Sequence, residues 1–110
     1  MTTITICKDK DGSYKGFYCM GHADYAEPGE PDVVCAAVSA LTIGTINSLE
    51  ELTDEKITVT KNEEEAFLRC DIESTLKENS VLLMDAMVHV LEGITEEYGE
   101  EYVQIKFEEV

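Results

Sequence analysis

Basic side chains are scarce in this sequence: 8 Lys and Arg stand against 24 Asp and Glu, a formal charge of −16 over 110 residues. That deficit argues against direct nucleic-acid binding, because affinity for phosphate backbones comes largely from Lys and Arg displacing counterions. The acidity suits encounter with a basic partner or plain solubility, and charge alone does not choose between them. Histidine is nearly absent, with His22 and His89 the only two, and both prolines, Pro28 and Pro31, fall in one short stretch. The opening residues, MTTITICKDKDG, lack a basic segment followed by an apolar run, so no secretory signal is expected. No apolar run approaches the about 20 residues of a membrane span, so no membrane partner is expected. A cytoplasmic, reducing address is therefore expected, with Cys7, Cys19, Cys35 and Cys70 as thiols rather than two bridges. No Gly-rich phosphate loop, GxSxG or HExxH occurs, and no cofactor is implied.

What is present suits one domain over residues 1–110, with no internal linker and no room for a second core. Thr3 to Lys8 alternates Thr with Ile4 and Ile6, a strand pattern, and Asp11-Gly12 supplies hairpin chemistry before a second strand over Ser13 to Met20. Two Gly and two Pro between Gly21 and Pro31 predict a loop. Asp32 is a natural N-cap for the helix VVCAAVSALTIGTINSLEEL, whose stripe Val34, Val38, Leu41, Thr45, Leu49 and Leu52 is expected to be buried. Gly44, in mid-helix, suggests close approach by a strand or a second subunit. Alternation over Lys56 to Thr60 and Glu65 to Asp71 predicts a hairpin turning at Lys61-Asn62. A second amphipathic helix over Ser80 to Tyr98 is expected to bury Leu83, Met87, Val90, Leu91, Ile94 and Tyr98 and to stop at Gly99. Val103, Ile105 and Phe107 mark a last strand. The order ββαββαβ is that of an α+β fold with a largely antiparallel sheet and two helices.

Cys35 falls at the third residue of the first helix, near free backbone N–H groups and the positive end of the helix dipole. Such a position favours thiolate, which attacks carbonyls, and the same N–H groups could hold the oxyanion. His22 supplies the missing proton donor if the intervening loop folds back over the helix mouth. Against this stands simple core packing, the usual fate of a free cysteine. Asp32 has two open roles, capping the helix or orienting the imidazole. Ser39, one turn beyond Cys35, either faces the site or back-bonds to the Cys35 carbonyl. His89 sits among Asp85, Glu92 and Glu96, with Asp85 at i,i+4 spacing, and reads as a solvated surface residue. Cys19-x-x-His22 has metal-ligand spacing, but Cys7, Cys35 and Cys70 form no second pair, so no metal site is expected. Cys7, Cys19 and Cys70 lie in strand patterns and read as core.

The stretch GHADYAEPGEPDVVCAAVSAL, residues 21–41, resembles the signature of the ribosomal-processing cysteine proteases of the Prp family. Length and element order agree over the whole chain. The resemblance implies a dimeric cytosolic protease that removes the N-terminal extension of a basic large-subunit ribosomal protein, number twenty-seven. It implies Cys35 as nucleophile, His22 as general base, Asp32 and Ser39 in supporting positions, and Gly21 and Gly29 as loop glycines. Between Gly29 and Asp32 this chain carries Glu30-Pro31 where the family pattern has one residue, a change in loop geometry that bears on substrate fit. A basic substrate also gives the acidity a use, as steering. The competing expectations are an acidic module that binds basic ribosomal protein without cutting it, and a redox-sensing thiol at Cys35.

Overall fold

The computed structural model describes residues 1–110. Its elements are β1 (Thr2–Lys8), β2 (Tyr14–Met20), α1 (Val33–Leu52), β3 (Ile57–Asn62), β4 (Phe67–Ile72), α2 (Glu78–Tyr98) and β5 (Val103–Glu109). The five strands form one sheet in the order β3-β4-β2-β1-β5. Three of its four pairings are antiparallel; β5 runs parallel to β1, with Ile4 opposite Ile105. The expected ββαββαβ architecture is the one observed.

Strand alternation separates the two sheet faces. Ile4, Ile6, Phe17, Cys19, Cys70 and Val103 join Val34, Leu49, Met84 and Leu91 of the helices in one core. On the other face, Arg69 pairs with Asp71 and lies over the Tyr18 ring, whose hydroxyl donates to Glu108. Cys7 belongs to that second face and not to the core, a correction to the sequence reading. It is buried there, and burial first, then the Glu108 charge, pushes its thiol up.

Helix α1 has the bounds its Asp32 cap and periodicity predicted, and Val34, Val38, Thr45 and Leu49 of the expected stripe are buried. Thr42 and Ile46 are buried, Leu41 is half-buried, and Leu52 is 76% exposed at the last turn, beyond the edge of the core. The buried threonines are satisfied locally: the hydroxyls of Thr42 and Thr45 donate to the carbonyls of Val38 and Leu41. By length and composition α1 is apolar enough to cross a membrane, contrary to the expectation that no such run exists. In this fold Val34, Val38, Ile46 and Leu49 pack into the core shared with the sheet and α2. Gly44 admits no neighbour: a Cβ there meets nothing, so no strand of this chain approaches it.

In α2 the buried residues include Met84, Met87, Val88 and Leu91, whereas Val90 is exposed. Apolar residues occur around much of this helix, and packing rather than periodicity selects the inward face. Asp85 does not pair with His89; its carboxylate accepts from the Tyr14 hydroxyl at 2.5 Å. Burial, reinforced by that bond, lifts the Tyr14 phenol well above its ordinary range. The β3–β4 turn falls at residues 63–66, not at Lys61-Asn62, and the Asn62 side chain accepts from the Glu65 N–H at 3.2 Å. Phe107 ends 60% exposed, since β5 runs on past the cover of α2.

Candidate active site

The site begins with Asp32, whose extended backbone at the N-cap turns its carboxylate back over the first turn of α1. Oδ1 accepts from the Val34 and Cys35 N–H groups, both at 3.0 Å. Oδ2 accepts from Tyr25 at 2.9 Å and Ala26 at 3.4 Å, in the loop before the helix. The Ala36 N–H goes to the Asp32 carbonyl. These bonds, the one from Cys35 foremost, hold the carboxyl below its usual range. Two open points are decided here. Asp32 caps the helix and ties the loop to it rather than hydrogen-bonding His22. The first-turn N–H groups of Val34, Cys35 and Ala36 are occupied, so they are not free to bind an oxyanion.

Cys35 is half-buried at the helix mouth, and its Sγ accepts a hydrogen bond of 3.1 Å from the backbone N–H of Ala23. Ala23 is 1% exposed, so a buried methyl fixes the residue that donates. Just upstream, Gly21 donates its N–H to the Ala66 carbonyl at 3.0 Å and accepts from the Thr2 hydroxyl at 3.1 Å. Its φ of +91° suits glycine, and a Cβ there would run into the Met1 carbonyl oxygen. His22, exposed between these two fixed residues, lines the same cleft as Cys35. The cleft measures about 240 Å³, with Ser39 and Ile43 of α1 on one side and Lys61, Asn62 and Phe67 of the β3–β4 hairpin among its other walls.

The loop is held in place. The Tyr25 ring packs edge-on against Tyr98 and Tyr102, with centroids 5.3 and 5.1 Å away. The amino group of Met1 lies 3.5 Å from the Asp24 carboxylate. The outer part, around Pro28 and Pro31, is exposed and turns on a Glu30 N–H to Glu27 carbonyl bond. Gly29 sits there at φ +87° with open space around it, so its role is to allow the turn. Ser39 makes no back-bond to Cys35 and lines the cleft. His89 is exposed on α2 and does not line it. Burial pushes the thiols of Cys19 and Cys70 up to about 12, which leaves them poor nucleophiles.

His22, Cys35 and Ser39, singled out from the sequence, line one cleft, and three further contributors were missed. Ala23 acts through its backbone, which carries no side-chain signal. Tyr25 needs partners more than 70 residues away in the chain. The hairpin wall depends on sheet order, and the spacing of Lys61 and Phe67 from Cys35 contains no trace of it.

Comparison with known proteins identifies the family. The family profile described as Cysteine protease Prp matches residues 1–104. A ribosomal processing cysteine protease Prp of Staphylococcus aureus is 30% identical over 100 residues, 91% of this chain and 93% of that protein. A Bacillus subtilis protein of the same description is 28% identical over 102 residues, covering 89% and 90% of the two chains. The fold superimposes on the S. aureus protease solved with a covalently linked product peptide, with a TM-score of 0.89, 28% identity, and coverage of 98% of this chain and 100% of that one. The chain belongs to the Prp family and is a cysteine protease.

Proposed function

We propose that this protease removes the N-terminal extension of a basic large-subunit ribosomal protein, number twenty-seven, with Cys35 as nucleophile and His22 as general acid and base. The observation that carries the assignment of residues is the shared cleft: a half-buried thiol accepting a hydrogen bond at a helix mouth, with an exposed imidazole on its rim. The description of the S. aureus relatives as ribosomal processing proteases, one solved with a substrate peptide, supports the substrate class. The formal charge of −16 supports it too, since it attracts a basic protein before any contact forms.

In the first step the Cys35 thiolate attacks the scissile carbonyl carbon. A C–S bond forms while the carbonyl π pair moves onto oxygen. When the intermediate collapses the C–N bond breaks, its electron pair takes a proton from the His22 imidazolium, and the amine half leaves. Neutral His22 then removes a proton from water, which attacks the thioester. The C–S bond breaks and the thiolate returns. Ser39 supports substrate or thiolate from the next helical turn, and Asp32 keeps the helix mouth and the His22 loop in register.

The enzyme is further proposed to act in the cytoplasm as a homodimer. The exposed groove between the helices, where Gly44 and Ala40 of α1 face Ala86 and the 46% exposed Val90 of α2, supports the second of these.

Mass spectrometry of a synthetic extension peptide incubated with the protein tests the reading. Cleavage by the unsubstituted protein and none by a folded Cys35→Ser variant is the expected result. Turnover by Cys35→Ser removes Cys35 from the mechanism. Binding without any cleavage by the unsubstituted protein leaves only an acidic docking module.

A further inference from the structure

We infer that the backbone N–H of Ala23 is a catalytic group of this site: it stabilises negative charge first on Cys35 Sγ and then on the substrate oxygen during attack. The second half rests on the peptidase reading above; the first half does not. Three observations carry it. The Ala23 N–H points at Sγ across 3.1 Å. Three donors at the helix mouth are already used, because Val34 and Cys35 donate to Asp32 Oδ1 and Ala36 to the Asp32 carbonyl. The donor is also immobile: Ala23 is buried, Gly21 is bonded to Ala66 and Thr2, and Tyr25 is bonded to Asp32.

The chemistry follows from the geometry. A hydrogen bond to the charged form of a thiol favours ionisation, and here it comes from a neutral amide that needs no proton transfer. When sulfur bonds to the carbonyl carbon, its own charge is quenched and reappears on an oxygen two bonds away. A donor fixed beside the sulfur lies close to that oxygen throughout. Donors aimed in advance at developing charge are worth more than donors that must reorganise. The adjacent residues His22 and Ala23 thus supply separate functions from one segment, the ring moving protons and the amide holding charge. Ala23 is the backbone donor that meets the sulfur.

Replacing Ala23 by lactic acid, through nonsense suppression, exchanges the amide for an ester and removes only the N–H. The pH profile of Cys35 alkylation by iodoacetamide is read first, since it requires no peptidase activity. Its midpoint should rise by about one to two pH units, the size of one hydrogen bond to a charged group. Turnover of the extension peptide should fall about 10²- to 10³-fold in kcat with KM nearly unchanged. Ala23→Gly keeps the N–H but loses the buried methyl that fixes it, so it should lose less than the ester variant on both counts. An unshifted alkylation midpoint in the ester variant overturns the inference, and so does an equal loss in Ala23→Gly, which would point to packing. A shifted midpoint in a protein that cleaves no peptide retains the thiolate donor and rejects the peptidase reading instead. In the unsubstituted, isotope-labelled protein the Ala23 amide resonance should titrate with Cys35 and stop doing so in Cys35→Ala. An amide that ignores the titration also overturns the inference.

Discussion

Removing the ring of Tyr25 should slow the enzyme without unfolding it. The ring meets Tyr98 at 5.3 Å and 82° and Tyr102 at 5.1 Å and 78°, two edge-to-face contacts. Such pairs contribute about 0.5–1.5 kcal/mol each, and the ring's 44% exposure places these at the lower end. Together they bias the loop towards its observed position by about 1–2 kcal/mol, a factor of about 5–30 in population. The Tyr25 and Ala26 N–H bonds to Asp32 survive the substitution, so Tyr25→Ala loosens the loop rather than releasing it. Tyr25 lies outside the main core, whereas Tyr98 and Tyr102 pack against it, so global unfolding should shift little. The assay pairs kcat/KM on the extension peptide with hydrogen exchange at the Tyr25 and Ala26 amides. Exchange should quicken by about 5- to 30-fold, and kcat/KM should fall by at most that factor, since the surviving bonds to Asp32 keep the loop largely in place. Tyr25→Phe keeps the ring and should behave like the parent. Parent-like turnover together with unchanged exchange in Tyr25→Ala would refute the idea that ring packing holds Ala23 at the thiol and His22 in the cleft.

Gly21→Ala should be more damaging, because its positive φ and the Met1 carbonyl leave no room for a methyl; a loss of about 1–3 kcal/mol in urea unfolding, with greatly reduced activity, is expected. Iodoacetamide near neutral pH should label Cys35 alone in the folded protein, since Cys7, Cys19 and Cys70 are buried with raised thiol pKa values, and intact mass should show one adduct until urea releases the rest. The depressed carboxyl of Asp32 gives a pH signature. Its stabilising effect is complete above the ordinary Asp pKa of about 3.9 and is lost as pH falls through the lower folded value. Asp32→Asn should therefore flatten the acid limb of a plot of urea midpoint against pH, and parallel limbs for the two proteins would show that the cap contributes nothing there.

Local chemistry was legible in the sequence. Asp32 followed by an apolar run fixed the start of α1, Gly99 fixed the end of α2, and alternation located five strands in order. These signals involve neighbours within one or two turns or pleats, and local propensity settles them. The position of Cys35 at a helix mouth, with Asp32 as its cap, belongs to the same class. Three things lay beyond that range. The turn at residues 63–66 is closed by an Asn62 side chain inside a run of glutamates, a composition that carries no strong turn signal. The inward face of α2 was chosen by contact with α1 and the sheet, because apolar residues such as Leu82, Val88 and Val90 surround the helix too evenly for periodicity to decide. The cleft exists only because β4 pairs with β2 and so carries the hairpin to the mouth of α1. Ala23 reaches the sulfur only because Gly21 is clasped from the two strands that flank β2, by Thr2 of β1 and by Ala66 just before β4. Sequence alone supplied the thiol, the helix that presents it and the imidazole in the loop ahead of that helix. Long-range packing decided which backbone donor meets that thiol, since a main-chain N–H is the same at every residue and only the folded path gives it a direction.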